Sequence, residues 1–524
     1  MIKKISYFEK QLCQKFATFT EKNLLGLSSL FLLGFGMLII YKAAVDYGFV
    51  WDQTEHLHAA YLVSIGQVPY KDFFEHHHPL LWYLLAPVVQ WFYPSIKVVY
   101  FARFLAVGLM ACCLWLLFTI TDKFLFNRKT ALLSMLCLLC FPKVLTDSMN
   151  LRPDTFMLLT VLGGLYYFFD FLQNGHLRKL IGSFLLWIIS FLFLQKAIII
   201  GVGFCAAILW LLHQKRLSWR DFLIAAGVAC LPLVGFATWL TYHHIWNEYL
   251  WYNWTLNHLM TKYYSGYTEI YPWIQGILWL EAAAAFYIYK HADGRMTDVQ
   301  KVWLYCTFSS FVLTVLFMPH PHYLLLIVFL LAPFVGYFVK YIVTYPIKYL
   351  VLVLCLVGNF IYMYPDYMDK RDFKIYMRTI QYFADHLPQN AEFVGQTHEI
   401  FNIYYPNAHY YWFGFREVAM LDVLFNPALK DFNIMRLIEQ KKPQYLAYEW
   451  VKDAAATRRF HWFAKRNGAL IERIKKEPAK FRRFFNVTVP PVPSFWPVDD
   501  KYLLNNYENI KETHIWRRKD VAPQ

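Results

Sequence analysis

The chain has 524 residues, of which 58% are hydrophobic and 17% charged, and its mean hydropathy is +0.31. A soluble chain of this length splits into several domains and carries about 25% charged residues, so the composition excludes a soluble cytoplasmic enzyme, a disordered protein and a fibrous one. It leaves a polytopic membrane protein, whose basic inner loops account for a net charge of +15 without a nucleic-acid-binding module.

A basic amphipathic tail with Lys3, Lys4, Lys10, Lys15 and Lys22 precedes the first long apolar run, Asn23 to Val45. That run is too long for a signal sequence, no small-residue cleavage site follows it, and it is expected to span the membrane with its N-terminus inside. Further spans are expected near 97–120, 130–145, 155–172, 180–194, 197–213, 222–241, 272–290, 302–318, 323–340 and 348–364, which makes about eleven in all. The apolar stretch Pro79 to Tyr93 is short for a span. If it does not cross, the loops with Arg128 and Lys129, Arg178 and Lys179, Lys215, Arg216 and Arg220, Lys290, Arg295 and Lys301, and Lys340 and Lys348 all lie inside. The intervening loops are poor in Lys and Arg, so 79–93 is expected to be re-entrant or to lie on the outer surface.

After Tyr364 the pattern changes. Residues 366–524 hold 25 of the 51 Lys and Arg and no long apolar run. Strand-like pieces at 391–396 and 444–450 alternate with helical ones at 372–386 and 452–466, which predicts a small α/β domain. The expected organisation is therefore a membrane domain, 1–365, followed by an extracytoplasmic domain, 366–524. The 9 Cys form no disulfide framework, and none lies in 366–524, which suits a bacterial envelope. Cys137 and Cys140 flank Leu-Leu within an apolar run and are read as a buried helix face. The two sequons, at Asn253 and Asn486, are read as chance matches.

Polar residues concentrate in the first outer loop. Asp52 opens a helix expected over 53–65, with Glu55, His56 and His58 in its early turns, and Glu75 precedes His76-His77-His78-Pro79. Asp52 is an ordinary helix cap, yet carboxylates beside a bilayer are costly unless paired, which singles out the whole constellation. His56 and His58 are two apart and face different sides of a helix, and three adjacent His cannot all face one ion in regular structure, so no structural zinc site is expected. A divalent cation held by Asp52 and Glu75 is the remaining metal reading. A second constellation is Arg152-Pro153-Asp154, with Lys196 alone between two apolar segments. Arg152 can hold a phosphate, and a membrane-edge Lys is a functional candidate. His320, His322 and Tyr323 form another polar cluster at an outer loop, and Glu281 sits within an apolar run.

The order of these features resembles the glycosyltransferase-C superfamily, in the branch of protein O-mannosyltransferases and lipid A aminoarabinose transferases. The resemblance lies in an Asp just past the first span, an aromatic-Glu-basic-Pro segment from Phe73 to Tyr83, an Arg-Pro-Asp at 152–154 and a later outer Lys, Lys196. It implies a helix bundle of that type with an extracytoplasmic α/β domain, in a bacterial inner membrane. The implied donor is a polyprenyl-phosphate sugar, and the acceptor a glycolipid, glycan or protein on the outer side. The implied reaction inverts, with Asp52 as base, Glu75 orienting the acceptor or the sugar, and Arg152 and Lys196 on the phosphate. Glu55, His78, Asp154, His322 and Tyr323 complete the expected substrate-binding set. No cofactor other than the divalent cation is expected, since no nucleotide-binding motif is present. A transporter or flippase of lipid-linked glycans and an O-antigen ligase or polymerase are the competing readings. The former needs midplane polar residues and commonly internal repeats, whereas no repeat is seen and the ionisable residues cluster on the outer face.

Overall fold

The computed structural model describes chiefly residues 51–139, 147–258, 296–317 and 324–342, with shorter stretches beyond 378, notably 403–405, 434–447, 500–510 and 515–521. The expected spans at 23–45, 272–290 and 348–364, and the expected helix at 452–466, lie outside the described residues. The described chain is mainly helical. Apolar runs form α1 (Trp51–Ser64), α2 (Leu80–Phe92), α3 (Lys97–Ile120), α4 (Arg128–Leu139), α5 (Pro153–Asn174), α6 (Leu177–Phe193), α7 (Ala197–His213) and α8 (Trp219–His243). The short α9 (Trp246–Leu250) leads into a π turn, Trp251–Leu256, and α10 (Asp298–Phe317) and α11 (Leu324–Ile342) follow. Among the described residues, three stretches are long and apolar enough to cross a bilayer: Lys97–Leu125, Pro153–Asn174 and Trp219–His243. The 13 residues of α2 reach about 20 Å, against a hydrocarbon core of about 30 Å.

The chain divides into two compact units. One comprises Met1–Gly48, Tyr100–Trp239 and Tyr264–Lys370, the other Phe49–Val99, Leu240–Tyr263 and Arg371–Gln524.

In the first unit, helices pack in pairs whose contacts rest on small residues. An added Cβ at Gly203 of α7 would overlap Tyr305 O and Ser309 Oγ of α10, and Ser309 donates to Ile199 O at 3.1 Å. Gly336 of α11 sits so close to α4 that a Cβ would lie 2.7 Å from Thr130 O. Small residues of this kind let backbones approach where lipid supplies no hydrophobic drive between helices. Ser183 of α6 donates to Gly164 O of α5 at 2.7 Å. In the turn loosened by Pro333, Leu330 O accepts from Trp303 Nε1 at 2.8 Å. The remaining apolar surface faces outward: Trp115, Leu209, Leu223, Leu231, Val234 and Phe308 are exposed, as lipid contact requires.

The up-and-down order sorts the polar ends of this unit. Lys123, in the π turn that ends α3, and Lys179, in the first turn of α6, both contact Asp170 of α5, at 3.7 and 3.0 Å. Gln300 of α10 donates to Leu125 O at 2.6 Å, and Arg216 lies 3.8 Å from Asp298. These contacts gather the ends bearing Arg128, Lys129, Arg178, Lys215 and Lys301 on one side of the bundle. The starts of α5 and α7, with Arg152, Asp154 and Lys196, lie at the opposite end, because each helix runs the length of the unit between them. Among the described residues, the basic loops at 128–129, 178–179, 215–216 and 301 thus share one end.

In the second unit α1 packs on α2. A four-stranded sheet forms from β1 (Phe393–Gly395), β2 (Tyr445–Ala447), β3 (Tyr507–Asn509) and β4 (Ile515–Arg518), in the order β1-β2-β4-β3. β1 and β2 are parallel, with Val394 opposite Leu446, and the remaining pairs are antiparallel. Both strand-like sequence pieces therefore pair as neighbours. Two short helices, α12 (Ile434–Lys441) and α13 (Asp500–Asn506), precede β2 and β3. The C-terminal part also reaches the first loop of the chain: Tyr404 donates to Ser95 O at 2.9 Å, and Tyr410 to Tyr70 O at 2.7 Å.

Candidate active site

The second unit builds one site from α1 and the irregular segment that follows it. Gly66 adopts φ 91° and ends the helix, and Asp72 Oδ2 accepts from Val68 N at 2.7 Å, closing a turn. From Phe74 to Pro79 the backbone makes no regular ladder and is held from three sides. Phe74 N donates to Tyr410 O at 2.9 Å. Asn257 Nδ2 donates to His76 O at 2.8 Å. The buried amide of Asn253, with its nitrogen turned inward, reaches His76 O at 3.3 Å and His77 O at 3.1 Å, and the Tyr70 hydroxyl also donates to His77 O. Asn253 sits on the π turn after α9, a widened turn of the kind found at functional sites. Its burial removes the first sequon from any glycosylation role in the folded chain.

This clamped segment brings Glu55, Glu75, His76 and His77 to one point, with one ligand atom of each within 4.8 Å of every other. His77 Nδ1 lies 3.4 Å from Glu55 Oε1 and 3.6 Å from Glu75 Oε2, which also accepts from His76 N at 3.2 Å. Glu75 is fully buried, and burial pushes its carboxyl well above the usual range, with the His76 N–H opposing. Among the described residues, Glu75 Oε1 has no hydrogen-bond partner. Two buried carboxylates with two imidazoles form a donor set suited to a divalent cation. The set differs from the Asp52 and Glu75 pair expected from sequence. Adjacent His76 and His77 both contribute because the segment is irregular, which frees them from the alternation of a strand or the rotation of a helix. Asp52 stands half-buried in the first turn of α1, three residues before Glu55 and so on the same face.

The other histidines of the loop are turned elsewhere. His78 Nε2 pairs with the Tyr249 hydroxyl at 3.1 Å. His56 Nδ1 accepts from Trp82 Nε1 at 3.2 Å. His58 Nδ1 donates to Ile403 O at 3.1 Å, and burial lowers its pKa to about 3, so it is a neutral anchor for the C-terminal part.

The first unit builds a second site. Arg152 takes an extended conformation before α5, Pro153 occupies the first helical position, and Asp154 lies in the first turn. Lys196 stands in the tight turn between α6 and α7, 42 residues later. Asp154 Oδ2 accepts from Arg152 Nε at 3.2 Å and Oδ1 from Lys196 Nζ at 3.0 Å. Asp154 and Lys196 edge a small cleft whose other walls are Met157, Leu158, Ile199, Thr314, Leu325 and Leu326. His320, His322, Tyr323 and Glu281 lie outside the described residues.

The sequence profile of the dolichyl-phosphate-mannose-protein mannosyltransferase family matches residues 76–242, a stretch that holds His76 to His78, Arg152, Asp154 and Lys196. In this stretch the chain resembles glycosyltransferase-C enzymes. No curated protein matches the chain. Among solved structures, ArnT from Cupriavidus metallidurans bound to undecaprenyl phosphate is similar, with 12% identity and a TM-score of 0.46 over 60% of each chain. The oligosaccharyltransferase of Archaeoglobus fulgidus in complex with zinc and sulfate is similar at 10% identity and a TM-score of 0.42, over 81% of this chain and 67% of that one. The chain thus spans about three fifths of the length of that ArnT.

Proposed function

We propose that this protein is an integral membrane glycosyltransferase that moves a sugar from a polyprenyl-phosphate donor to an acceptor hydroxyl on the outer side of a bacterial inner membrane. The observation that carries this reading is the Arg152–Asp154–Lys196 cluster at the edge of an apolar cleft, within the stretch that matches the mannosyltransferase family. Arg152 and Lys196 take the phosphate, and the apolar walls take the first isoprene units. A sugar on phosphate carries its own leaving group, so no nucleotide is needed.

Asp52 is the base. The acceptor oxygen attacks the anomeric carbon and its proton passes to the Asp52 carboxylate. The bond from that carbon to the phosphate oxygen breaks, and its electron pair leaves with the phosphate, whose charge Lys196 and Arg152 offset. One displacement inverts the anomeric centre. Glu55, Glu75, His76 and His77 are the residues that would hold a divalent cation, and a cation there would supply positive charge beside substrate hydroxyls. Residues 366–524 form an extracytoplasmic domain, and the contacts of Tyr404 and Tyr410 with the first loop support its place on the acceptor side.

The test is transfer from a lipid-linked sugar by reconstituted protein, with donor binding followed separately. Asp52→Asn keeps volume and capping, and should lower transfer by roughly 10²–10⁴ while donor binding survives. Lys196→Ala should weaken donor binding. Full activity in Asp52→Asn rejects Asp52 as base, and unchanged donor binding in Lys196→Ala rejects the phosphate site.

A further inference from the structure

Asp154 is out of place in a phosphate site. A carboxylate repels a phosphate, yet here its two oxygens hold both cations, Arg152 Nε at 3.2 Å and Lys196 Nζ at 3.0 Å. The group is almost fully buried, so its charge acts over short range with little screening. Asp154 therefore does two things to the site. It fixes two cations from separate helix starts in one place, and it takes one unit of positive charge out of the cluster.

The charge of the ligand changes during the reaction proposed above, on which this inference rests. A lipid-phosphate sugar is a phosphodiester and carries one negative charge. After the sugar leaves, the lipid phosphate is a monoester, whose second ionisation near pH 6 gives it about −1.5 to −2 at neutral pH. Two cations alone favour the dianion, which is the product. The Asp154 carboxylate in contact with both cations shifts that preference towards the monoanion, which is the donor.

We propose that Asp154 is a specificity-determining residue that tunes this site to the phosphodiester donor and against the phosphomonoester product, so that spent lipid phosphate departs. A purely structural carboxylate, holding the start of α5 to the turn before α7, would affect both ligands alike.

The experiment measures binding of a polyprenyl phosphate and of its methyl diester to the purified full-length protein, in wild type, Asp154→Asn, Asp154→Glu and Lys196→Ala. Asp154→Asn retains size and hydrogen bonding while removing the charge. Its affinity for the monoester should rise on the order of tenfold or more relative to the diester, and Asp154→Glu should return that ratio towards wild type. In transfer assays Asp154→Asn should lower kcat, and added lipid phosphate should become a stronger inhibitor. A monoester-to-diester ratio unchanged within about twofold in Asp154→Asn, or an equal loss of both ligands in both Asp154 variants, overturns the inference. If wild type binds neither lipid, or Lys196→Ala binds both as tightly as wild type, the donor-site reading itself fails.

Discussion

Replacing Glu75 by Gln removes one negative charge from the point where two carboxylates and two imidazoles meet, and changes the side-chain volume little. In the ion-free protein the Glu75 carboxyl is fully buried, with Oε1 accepting no hydrogen bond among the described residues and Glu55 nearby on the far side of His77. A buried unsatisfied polar group costs about 1–3 kcal/mol, more when charged. Glu75→Gln should therefore leave the ion-free protein as stable as wild type or more so. The ion-bound comparison runs the other way. A cation at about 100 times its Kd stabilises the folded state by about 2.7 kcal/mol, and each kcal/mol moves the midpoint of a unit of this size by about 2–4 °C. After chelation, adding zinc, manganese or magnesium to wild type should raise Tm by roughly 5–10 °C for the ion that fits. The variant should lose most of that shift. The assay is thermal unfolding of the full-length protein in detergent, with bound metal counted by elemental analysis. Wild type unmoved by every ion, or Glu75→Gln shifted as much as wild type, refutes the cation site.

Two further outcomes follow from the packing and the burial. Gly203→Ala forces a methyl group onto Tyr305 O and Ser309 Oγ and should destabilise by about 1–3 kcal/mol. Gly201→Ala, in open space on the same helix, should not, and equal melting of the two variants in detergent would remove the close α7–α10 contact. His58 has its pKa lowered to about 3 by burial, whereas an unfolded His binds a proton below about 6.5. The unfolded state therefore takes up more protons across that window, and stability should fall as pH drops from 6.5 towards 3. Between pH 6.5 and 5 the loss is about 2 kcal/mol. His58→Gln should show a shallower acid slope in denaturant titrations, and an identical slope would mean His58 is not buried in its neutral form.

The sequence by itself determined what depends on runs and on neighbours along the chain. Apolar stretches near 97–120, 155–172 and 222–241 became α3, α5 and α8 because a bilayer admits only elements that satisfy their own backbone. Pro153 and Asp154 announced a helix start. The strand-like pieces at 391–396 and 444–450 became paired strands because alternation of apolar residues is local to each. What only the tertiary structure decided are the meetings between distant residues. Asp154 lies two residues from Arg152, but its second partner, Lys196, comes from 42 residues away. Glu55 is 20 residues from Glu75, and His76 and His77 join them because Asn253 and Asn257 draw the intervening backbone out of regular structure. Rules of helical and strand periodicity argued against three adjacent histidines sharing a point, and here two of them, His76 and His77, do. The segment escapes those rules because side chains far along the chain, rather than a ladder of its own, satisfy its carbonyls. No local pattern encodes such a clamp, so the donor set became visible only once the chain had folded around it.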